Sequence, residues 1–386
     1  MSIVTCIAPI NIAVIKYWGK KDDNLNLPIN DSISATLDTE HLCAKTTVII
    51  SPDFKEDKIW LNGSEQTMDN RRLQNCLQEM KKRSQLSEEM KNWKIHICSE
   101  NNFPTAAGLA SSAAGYACLA TALAKLHKVE GDISGVARVG SGSACRSIYG
   151  GFVRWYMGTD PQGCDSIAKP IVSASHWPEM RILILVVSDS QKKVPSTTGM
   201  RRGVLTSKFL KNRAENIIPA RIEEMHKAIV DKNFEFFAEL TMKDSNNMHA
   251  ACVDTYPPCV YMNDVSYLIV DLVHTYNAIS NNTKIAYTFD AGPNATLYLL
   301  EKDVAKFTGV LNHYFPPAEN VDVEYQKGIP IEPVRPSEDT LEKLNLTKHL
   351  PGKLKYIIHT RIGDGPKQLS GKNVHLLNEH GLPIKL

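Results

Sequence analysis

The sequence has little excess charge and no long apolar run, and each shortage excludes a class of protein. Its 386 residues carry 44 Lys and Arg against 42 Asp and Glu, a formal net charge of +2. A nucleic-acid-binding protein would show a basic stripe, and none is present. The longest apolar run, residues 182–187, is far too short to cross a bilayer. We therefore predict that neither a nucleic acid nor a membrane is a partner.

Metal-ligand and targeting signals are also scarce. The nine cysteines form no C-x-x-C pair and the twelve histidines form no H-E-x-x-H pattern, so no protein-held transition metal is predicted. Scattered cysteines in odd number are expected as free thiols of a reducing compartment. The N-terminus lacks the features of a signal peptide. Because the end of the chain, Ile384 to Leu386, matches the peroxisomal S-K-L address only loosely, the cytoplasm is the predicted location.

Hydrophobic periodicity predicts a mixture of strands and helices. Strands are predicted at residues 3–8, 46–50, 58–61, 93–98, 182–187 and 356–362. Helices are predicted at residues 69–83, 214–230, 234–248 and 261–278. Because these elements do not alternate strictly, we predict an α+β, two-lobed architecture with domains 1–178 and 179–386.

The most informative segment spans residues 104–115 (PTAAGLASSAAG), between a predicted strand and an Ala-rich helix. Small side chains let the backbone approach a ligand closely, and Gly108 can adopt conformations closed to other residues. A loop that opens a helix directs free N–H groups and the positive end of the helix dipole at an anion. No Gly-Lys-Ser/Thr follows, so this is not a Walker A loop. Taken alone, a buried Ala-rich helix fits about as well, but Ser111 and Ser112 favour a phosphate site.

Three further segments combine polar groups with a strand or a flexible loop. Residues 8–20 hold two Lys, a Tyr and an Asn, which suit phosphate oxygens but also fit an amphipathic strand end. Asp290 lies in an Asp-x-Gly-Pro-Asn turn, where it could be a general base or only part of a loop. Arg146 lies among small polar residues and suits capture of a carboxylate or phosphate, although a surface loop is equally plausible. Neighbouring Cys145 has no nearby base to activate it.

Together these segments resemble the GHMP small-molecule kinase superfamily and, within it, the mevalonate diphosphate decarboxylase family. The matching strings are residues 12–20 (IAVIKYWGK), 102–115 (NFPTAAGLASSAAG), 140–147 (GSGSACRS) and 287–295 (YTFDAGPNA). The resemblance runs from about residue 5 to about residue 365, and four strings of this length would not agree by chance. The Ala-rich central loop is similar to that of the decarboxylases rather than to the more Gly-rich loop of the kinases.

The resemblance implies a fold and a reaction. It implies a GHMP-kinase-like fold, with a ribosomal-protein-S5-domain-2-like N-terminal lobe that binds ATP and a ferredoxin-like α/β C-terminal lobe that carries the catalytic Asp. The implied reaction converts mevalonate 5-diphosphate and ATP into isopentenyl diphosphate, ADP, phosphate and CO₂ through a 3-phosphorylated intermediate. ATP and Mg²⁺ are the implied cofactors, and a homodimer is the implied assembly.

The resemblance also implies three groups of site residues. The catalytic residues are Asp290, Asn11 and Arg146. The residues that bind the substrate are Tyr17, Trp18, Gly19, Lys20, Arg72, Ser141, Gly142, Ser143, Ala144, Cys145, Arg146 and Met200. The residues that bind ATP are Pro104, Ala107, Gly108, Leu109, Ala110, Ser111, Ser112 and Ser196. Adenine contacts are predicted only at Asn101 and Asn102, and residues 318–352 match no part of the family pattern.

Two competing functions predict different features. A kinase that stops at the phosphorylated acid would release ADP without CO₂. A non-catalytic nucleotide-binding regulator would lack the Asp of the third segment or the serine pair of the central loop, and both are intact. Whether Asp290 removes a proton or mainly positions the substrate hydroxyl is also open.

Overall fold

A computed structural model describes residues 1–103, 111–190, 192–319 and 324–384. Buried segments with many β-branched or aromatic residues form several of its longer strands, among them Asn11–Ile15, Met180–Val186 and Ile285–Phe289. In chain order the strands are β1 (Ser2–Pro9), β2 (Asn11–Ile15), β3 (Lys20–Asp22), β4 (Leu27–Pro28), β5 (Ser32–Thr36), β6 (Cys43–Ser51), β7 (Lys58–Leu61), β8 (Ser64–Gln66), β9 (Lys94–Asn101), β10 (Phe152–Trp155), β11 (Ala168–Val172), β12 (Met180–Val186), β13 (Ile285–Phe289), β14 (Ala295–Leu300), β15 (Gln326–Gly328), β16 (Tyr356–Arg361) and β17 (Lys367–Leu369).

Helices cover the sheets and connect them. In chain order they are α1 (Arg71–Lys82), α2 (Glu88–Lys91), α3 (Ser111–Leu126), α4 (Ser134–Gly140), α5 (Ser196–Thr206), α6 (Lys208–Asn212), α7 (Ile218–Val230), α8 (Phe234–Asp254), α9 (Asp264–Ile279), α10 (Glu301–Tyr314) and α11 (Glu338–Leu344). Within the described ranges, none of them is long and apolar enough to span a bilayer.

The N-terminal lobe is built on two sheets. The first has the strand order β17-β1-β6-β9-β7-β8, and the second has the order β11-β10-β5-β2. Helix α3 packs on β1 and β6 and is buried around most of its circumference. Its many Ala residues allow the helix to lie close to the sheet, so the Ala-rich sequence serves packing as well as the site at the start of the helix.

The C-terminal lobe is built on a five-stranded sheet in the order β13-β14-β12-β16-β15. Its central strand β12 is antiparallel to both β14 and β16. Helix α8 packs against β13 of this sheet and also against β2 of the N-terminal lobe, so it links the two lobes. The predicted mixed α+β architecture with two lobes is confirmed.

Most of the predicted elements are present, with shifted ends. Asn62 and Gly63 form the hairpin turn that joins β7 to β8, and both residues have the positive φ that this turn requires (47° and 81°). The helix predicted from residue 261 begins only at Asp264, because Asn263 caps it through reciprocal hydrogen bonds with Ser266. The predicted free thiols are confirmed for all nine cysteines.

Candidate active site

A cleft of about 180 Å³ lies between the lobes and collects most of the predicted site residues. The N-terminal lobe contributes Asn11, Ala13, Lys16, Tyr17, Trp18, Lys20, Asn26, Arg72, Ser112, Ser141, Gly142, Ser143 and Arg146. The C-terminal lobe contributes Lys192, Ser196, Thr197, Met200, Met248, Asp290 and Ala291. Gly19, Ala144 and Cys145, which were predicted to bind substrate, are not part of this lining. Burial raises the pKa of the Cys145 thiol to about 12, so it is unreactive at neutral pH.

Asp290 and Lys16 meet in the centre of the cleft. Each follows directly on a fully buried strand, β13 for Asp290 and β2 for Lys16. The Lys16 Nζ donates to Asp290 Oδ1 at 2.6 Å, and the two side chains are 3% and 31% exposed. A buried cation therefore holds a carboxylate whose remaining surface faces the cleft. Sequence reasoning placed Lys16 in an informative segment but did not predict its role.

Arg146 is a buried cation whose observed partners are all neutral. Its Nη1 donates to Ser32 Oγ at 2.6 Å, and its Nε donates to Ser34 Oγ at 2.9 Å and to Asn11 Oδ1 at 3.2 Å. Burial lowers the pKa of Arg146, because the surroundings disfavour its charge. The Asn11 amide in turn donates to the backbone carbonyl of Ser143, 3.0 Å away. A guanidinium in such surroundings is suited to a bound anion.

Two further cations, Lys20 and Arg72, line the same cleft. The Lys20 Nζ donates to Asn26 Oδ1 at 2.7 Å, and burial together with nearby Arg72 lowers its pKa. Arg72 donates to Thr197 Oγ1 at 2.9 Å. Gly142 is required here, because a Cβ at this position would lie 2.9 Å from the hydroxyl oxygen of Tyr17. The charges of Lys20 and Arg72 make this part of the cleft suitable for a polyanion such as a diphosphate.

The start of α3 connects the cleft to a second cavity of about 310 Å³. Ser112 lines both spaces, and its Oγ lies 3.3 Å from Ser141 Oγ. The second cavity is also lined by Ser111 and Asn101. In contrast, the side chain of Asn102 is held by Cys43 N–H and His41 C=O, away from this cavity. The predicted ATP residues Pro104, Ala107, Gly108, Leu109 and Ala110 lie outside the described residues.

The start of α5 supplies a group that the sequence did not single out. The Lys192 Nζ donates to Ser196 Oγ at 3.0 Å, at the first residue of this eleven-residue helix. Burial lowers the pKa of Lys192, although the charge of Asp290 opposes this effect. The only signal in the sequence is the pair Lys192 and Lys193 within the Ser/Thr-rich segment of residues 188–198. Lys192 and the helix N-terminus together favour a phosphate between them and Asp290.

The donors in the cleft suit a magnesium ion that arrives with a nucleotide. Among the residues that the structure describes, no cluster of three or more His, Cys, Asp and Glu could hold a metal alone. Mg²⁺ prefers oxygen ligands and is commonly bound by one or two protein groups together with substrate phosphates. The hydroxyl of Ser112 and the carboxylate of Asp290 are oxygen donors of that kind.

Both halves of the chain resemble known proteins. Residues 8–168 match the diphosphomevalonate decarboxylase-like N-terminal domain, and residues 182–369 match the mevalonate 5-diphosphate decarboxylase C-terminal domain. The chain is 52% identical to the diphosphomevalonate decarboxylase of Danio rerio, over 100% of this chain and 97% of that protein.

Solved structures agree with the sequence relatives. The mevalonate diphosphate decarboxylase from Trypanosoma brucei is similar with a TM-score of 0.87 and 38% identity, covering 98% of this chain and 100% of that one. A complex described as MDDEF with MVAPP, AMPPCP and magnesium is similar with a TM-score of 0.73 and 28% identity, covering 96% and 100%.

Proposed function

The chain belongs to the mevalonate 5-diphosphate decarboxylase family and catalyses the ATP-dependent decarboxylation of mevalonate 5-diphosphate, and we propose that the cleft around Asp290 is its active site. One observation carries this assignment. Ser112 belongs both to the cleft and to the second cavity, so a nucleotide in that cavity would direct its phosphates at Asp290.

The reaction explains why ATP is needed for a decarboxylation. The substrate has a tertiary hydroxyl, and hydroxide is a poor leaving group. Transfer of the γ-phosphoryl group of ATP to this oxygen releases ADP and converts the hydroxyl into a phosphate ester, which is a good leaving group. When the C–O bond of the 3-phosphorylated intermediate breaks, phosphate leaves with the electron pair. The electrons of the C–C bond to the carboxylate then form the alkene, which yields isopentenyl diphosphate and CO₂.

Asp290 and Lys16 carry out the first step in this proposal. Asp290 accepts a hydrogen bond from the tertiary hydroxyl and takes its proton as the oxygen attacks the γ-phosphorus. A positioned base of this kind is worth about 10²–10⁴ in rate. Lys16 fixes the orientation of the carboxylate through the 2.6 Å contact and offsets the negative charge gathered around it.

Arg146 and Asn11 hold the substrate carboxylate in this proposal. The guanidinium has only neutral partners among the observed contacts, so the carboxylate would supply the missing counter-charge. This anchor aligns the breaking C–C bond with the departing phosphate. The diphosphate end lies toward Lys20, Arg72 and Tyr17, which leaves the hydroxyl between Arg146 and Asp290.

ATP binding uses the start of two helices. We place its phosphates between Ser111, Ser112 and Ser196, with Lys192 beside the γ-phosphate. Bound Mg²⁺ would neutralise phosphate charge, as magnesium does in phosphoryl transfer generally. The related complex with AMPPCP and magnesium supports ATP and Mg²⁺ as ligands of this chain.

Assembly, location and the division into lobes extend the proposal. We propose a homodimer in the cytoplasm and a boundary between lobes 1–178 and 179–386. β17, near the end of the chain, pairs with β1 of the N-terminal lobe, so this last part of residues 179–386 packs on the N-terminal lobe.

Substitution of Lys20 tests the diphosphate site. In Lys20→Met we expect the KM for mevalonate 5-diphosphate to rise about 10- to 100-fold, because a hydrogen bond between charged groups contributes about 1.5–3 kcal/mol. The KM for ATP should change by less than about threefold, since Lys20 does not line the second cavity. Steady-state kinetics with each substrate varied in turn measure both values.

Lys21→Met is the matched control for this experiment. Lys21 is the next residue, is exposed, and donates only to the carbonyl of Gly158 among the contacts observed. Its substitution should leave both KM values near those of the wild type. An equal change in the KM for mevalonate 5-diphosphate in both variants would show that Lys20 does not bind the diphosphate.

Product analysis tests the proposed function as a whole. Purified protein is incubated with ATP, Mg²⁺ and mevalonate 5-diphosphate labelled in its carboxylate. We expect labelled CO₂ and ADP in a 1:1 ratio. ADP without CO₂ would identify a kinase that stops at the phosphorylated acid, and neither product would exclude catalysis on this substrate.

A further inference from the structure

Arg213 and Asp244 form a fully buried ion pair beneath the cleft. Arg213 Nη1 lies 2.8 Å from Asp244 Oδ1 and Nη2 lies 3.0 Å from Oδ2, and both side chains are 0% exposed. Burial tends to raise the pKa of Asp244, but the charge and hydrogen bonds of Arg213, with the backbone N–H of Lys16, hold it below its ordinary value. The carboxylate is therefore ionised at neutral pH.

Both members of the pair bind the backbone of Lys16. The Lys16 N–H donates to Asp244 Oδ2 at 2.7 Å, and Arg213 Nη2 donates to the Lys16 carbonyl at 3.2 Å. Asn30 donates to the same carbonyl at 3.1 Å. Lys16 follows β2 of the N-terminal lobe, whereas Asp244 lies in α8 of the C-terminal lobe. The ion pair thus fixes a strand end of one lobe against the other lobe.

The local fold explains how Arg213 reaches this position. Residues Arg213–Ile217 form a π-helical turn between α6 and α7. Pro219, near the start of α7, lacks an N–H and cannot make the α-helical hydrogen bond to the carbonyl of Glu215. The wider turn accommodates that loss. Turns of this kind occur frequently at functional sites.

We infer that Arg213 is a positioning residue for catalysis, which with Asp244 fixes the Lys16 peptide so that the Lys16 ammonium reaches Asp290. The inference rests on the proposed function of Asp290. A contact of 2.6 Å between two side chains requires that both backbones be held, and the Lys16 peptide is held at its N–H and its carbonyl. Displacement of about 1 Å at an active site can reduce the rate by about 10²-fold.

Arg213→Lys and Arg221→Lys form a matched pair that tests this role. Arg221 donates to the same carboxylate, at 3.0 Å from Asp244 Oδ1, but is not among the residues that bind Lys16. Both variants keep a cation beside Asp244. In Arg213→Lys we expect kcat to fall about 10- to 100-fold with both KM values within about threefold. In Arg221→Lys we expect kcat within about threefold of the wild type.

Substitution of Lys16 separates positioning from a structural role. If Arg213 acts through Lys16, Arg213→Lys should change kcat by less than about threefold in a Lys16→Met background. Asn30→Ala, which removes the other donor to the Lys16 carbonyl, should lower kcat about 3- to 10-fold in the wild type and have no effect in that background. If Arg213→Lys does not fold, Asn30→Ala still tests whether a donor to the Lys16 carbonyl affects kcat through Lys16.

Two results would overturn the inference. One is a similar loss of kcat in the Arg213 and Arg221 variants that is accompanied by a similar fall in their melting temperatures. The other is a loss that the Lys16→Met background leaves undiminished. Failure of the proposed function is distinguishable from both, because it would appear as a wild-type protein that releases no CO₂.

Discussion

Asp290→Asn is expected to abolish most turnover while leaving the fold intact. Loss of the proton acceptor should lower kcat by about 10²–10⁴. The asparagine carbonyl can still accept from Lys16, and the position is partly exposed, so the melting temperature should change little. ATP binding should persist, because the second cavity lies away from this turn. Steady-state assays, nucleotide titration and thermal melts measure the three quantities.

Asp189→Asn is a suitable control for the Asp290 variant. Asp189 lies in the same lobe, is exposed, pairs with Lys355 and is not part of the cleft lining. Its substitution should leave kcat near the wild-type value. If Asp290→Asn turned over within about tenfold of the wild type, Asp290 would have no role as a base.

Arg146→Met is expected to lose activity without losing stability. Removal of the carboxylate anchor should lower kcat/KM by about 10²–10³, since truncating one partner of a buried charge pair costs about 2–5 kcal/mol. The lowered pKa shows that burial disfavours the Arg146 charge in the ligand-free fold. The melting temperature should therefore stay within about 2 °C of the wild type or rise.

Arg154→Met should show the opposite behaviour. Arg154 forms ion pairs with Asp31 and Glu223, each at 2.8 Å, and these interactions raise its pKa despite its burial. Its loss should lower the melting temperature by about 2–4 °C and leave kcat/KM unchanged. A large drop in the stability of Arg146→Met, with activity lost in proportion, would mean that Arg146 is a structural residue.

The sequence contained the parts of the site but not their pairing. Asp290 and Arg146 could be named because their segments resemble a family pattern. The Asp-x-Gly-Pro-Asn segment proves to be both a turn and part of the cleft. The Asn294 side chain accepts from the N–H groups of Val187 and Ser188, so it ties this turn to the end of β12. Local chemistry could not reveal a contact across 106 and 107 residues of chain.

Contacts between residues far apart in the chain explain why some site residues could not be predicted from the sequence. Lys16 was compatible with a surface position because its Asp290 partner is 274 residues away. Asp244 lay in a segment predicted only as a helix, and Arg213 lay just before the helix predicted at residues 214–230. The π-helical turn between α6 and α7 is not visible as a hydrophobic period. Lys192 lies in the connection between β12 and α5, and its approach to Asp290 depends on the packing of the C-terminal sheet.

A crystal structure with mevalonate 5-diphosphate, magnesium and a non-hydrolysable ATP analogue would locate both substrates relative to Asp290. We expect the γ-phosphate to lie between Ser112 and Asp290, with the tertiary hydroxyl of the substrate in hydrogen-bond reach of the Asp290 carboxylate. A nucleotide whose phosphates lie outside this cleft, or a substrate bound with its hydroxyl away from Asp290, would contradict it.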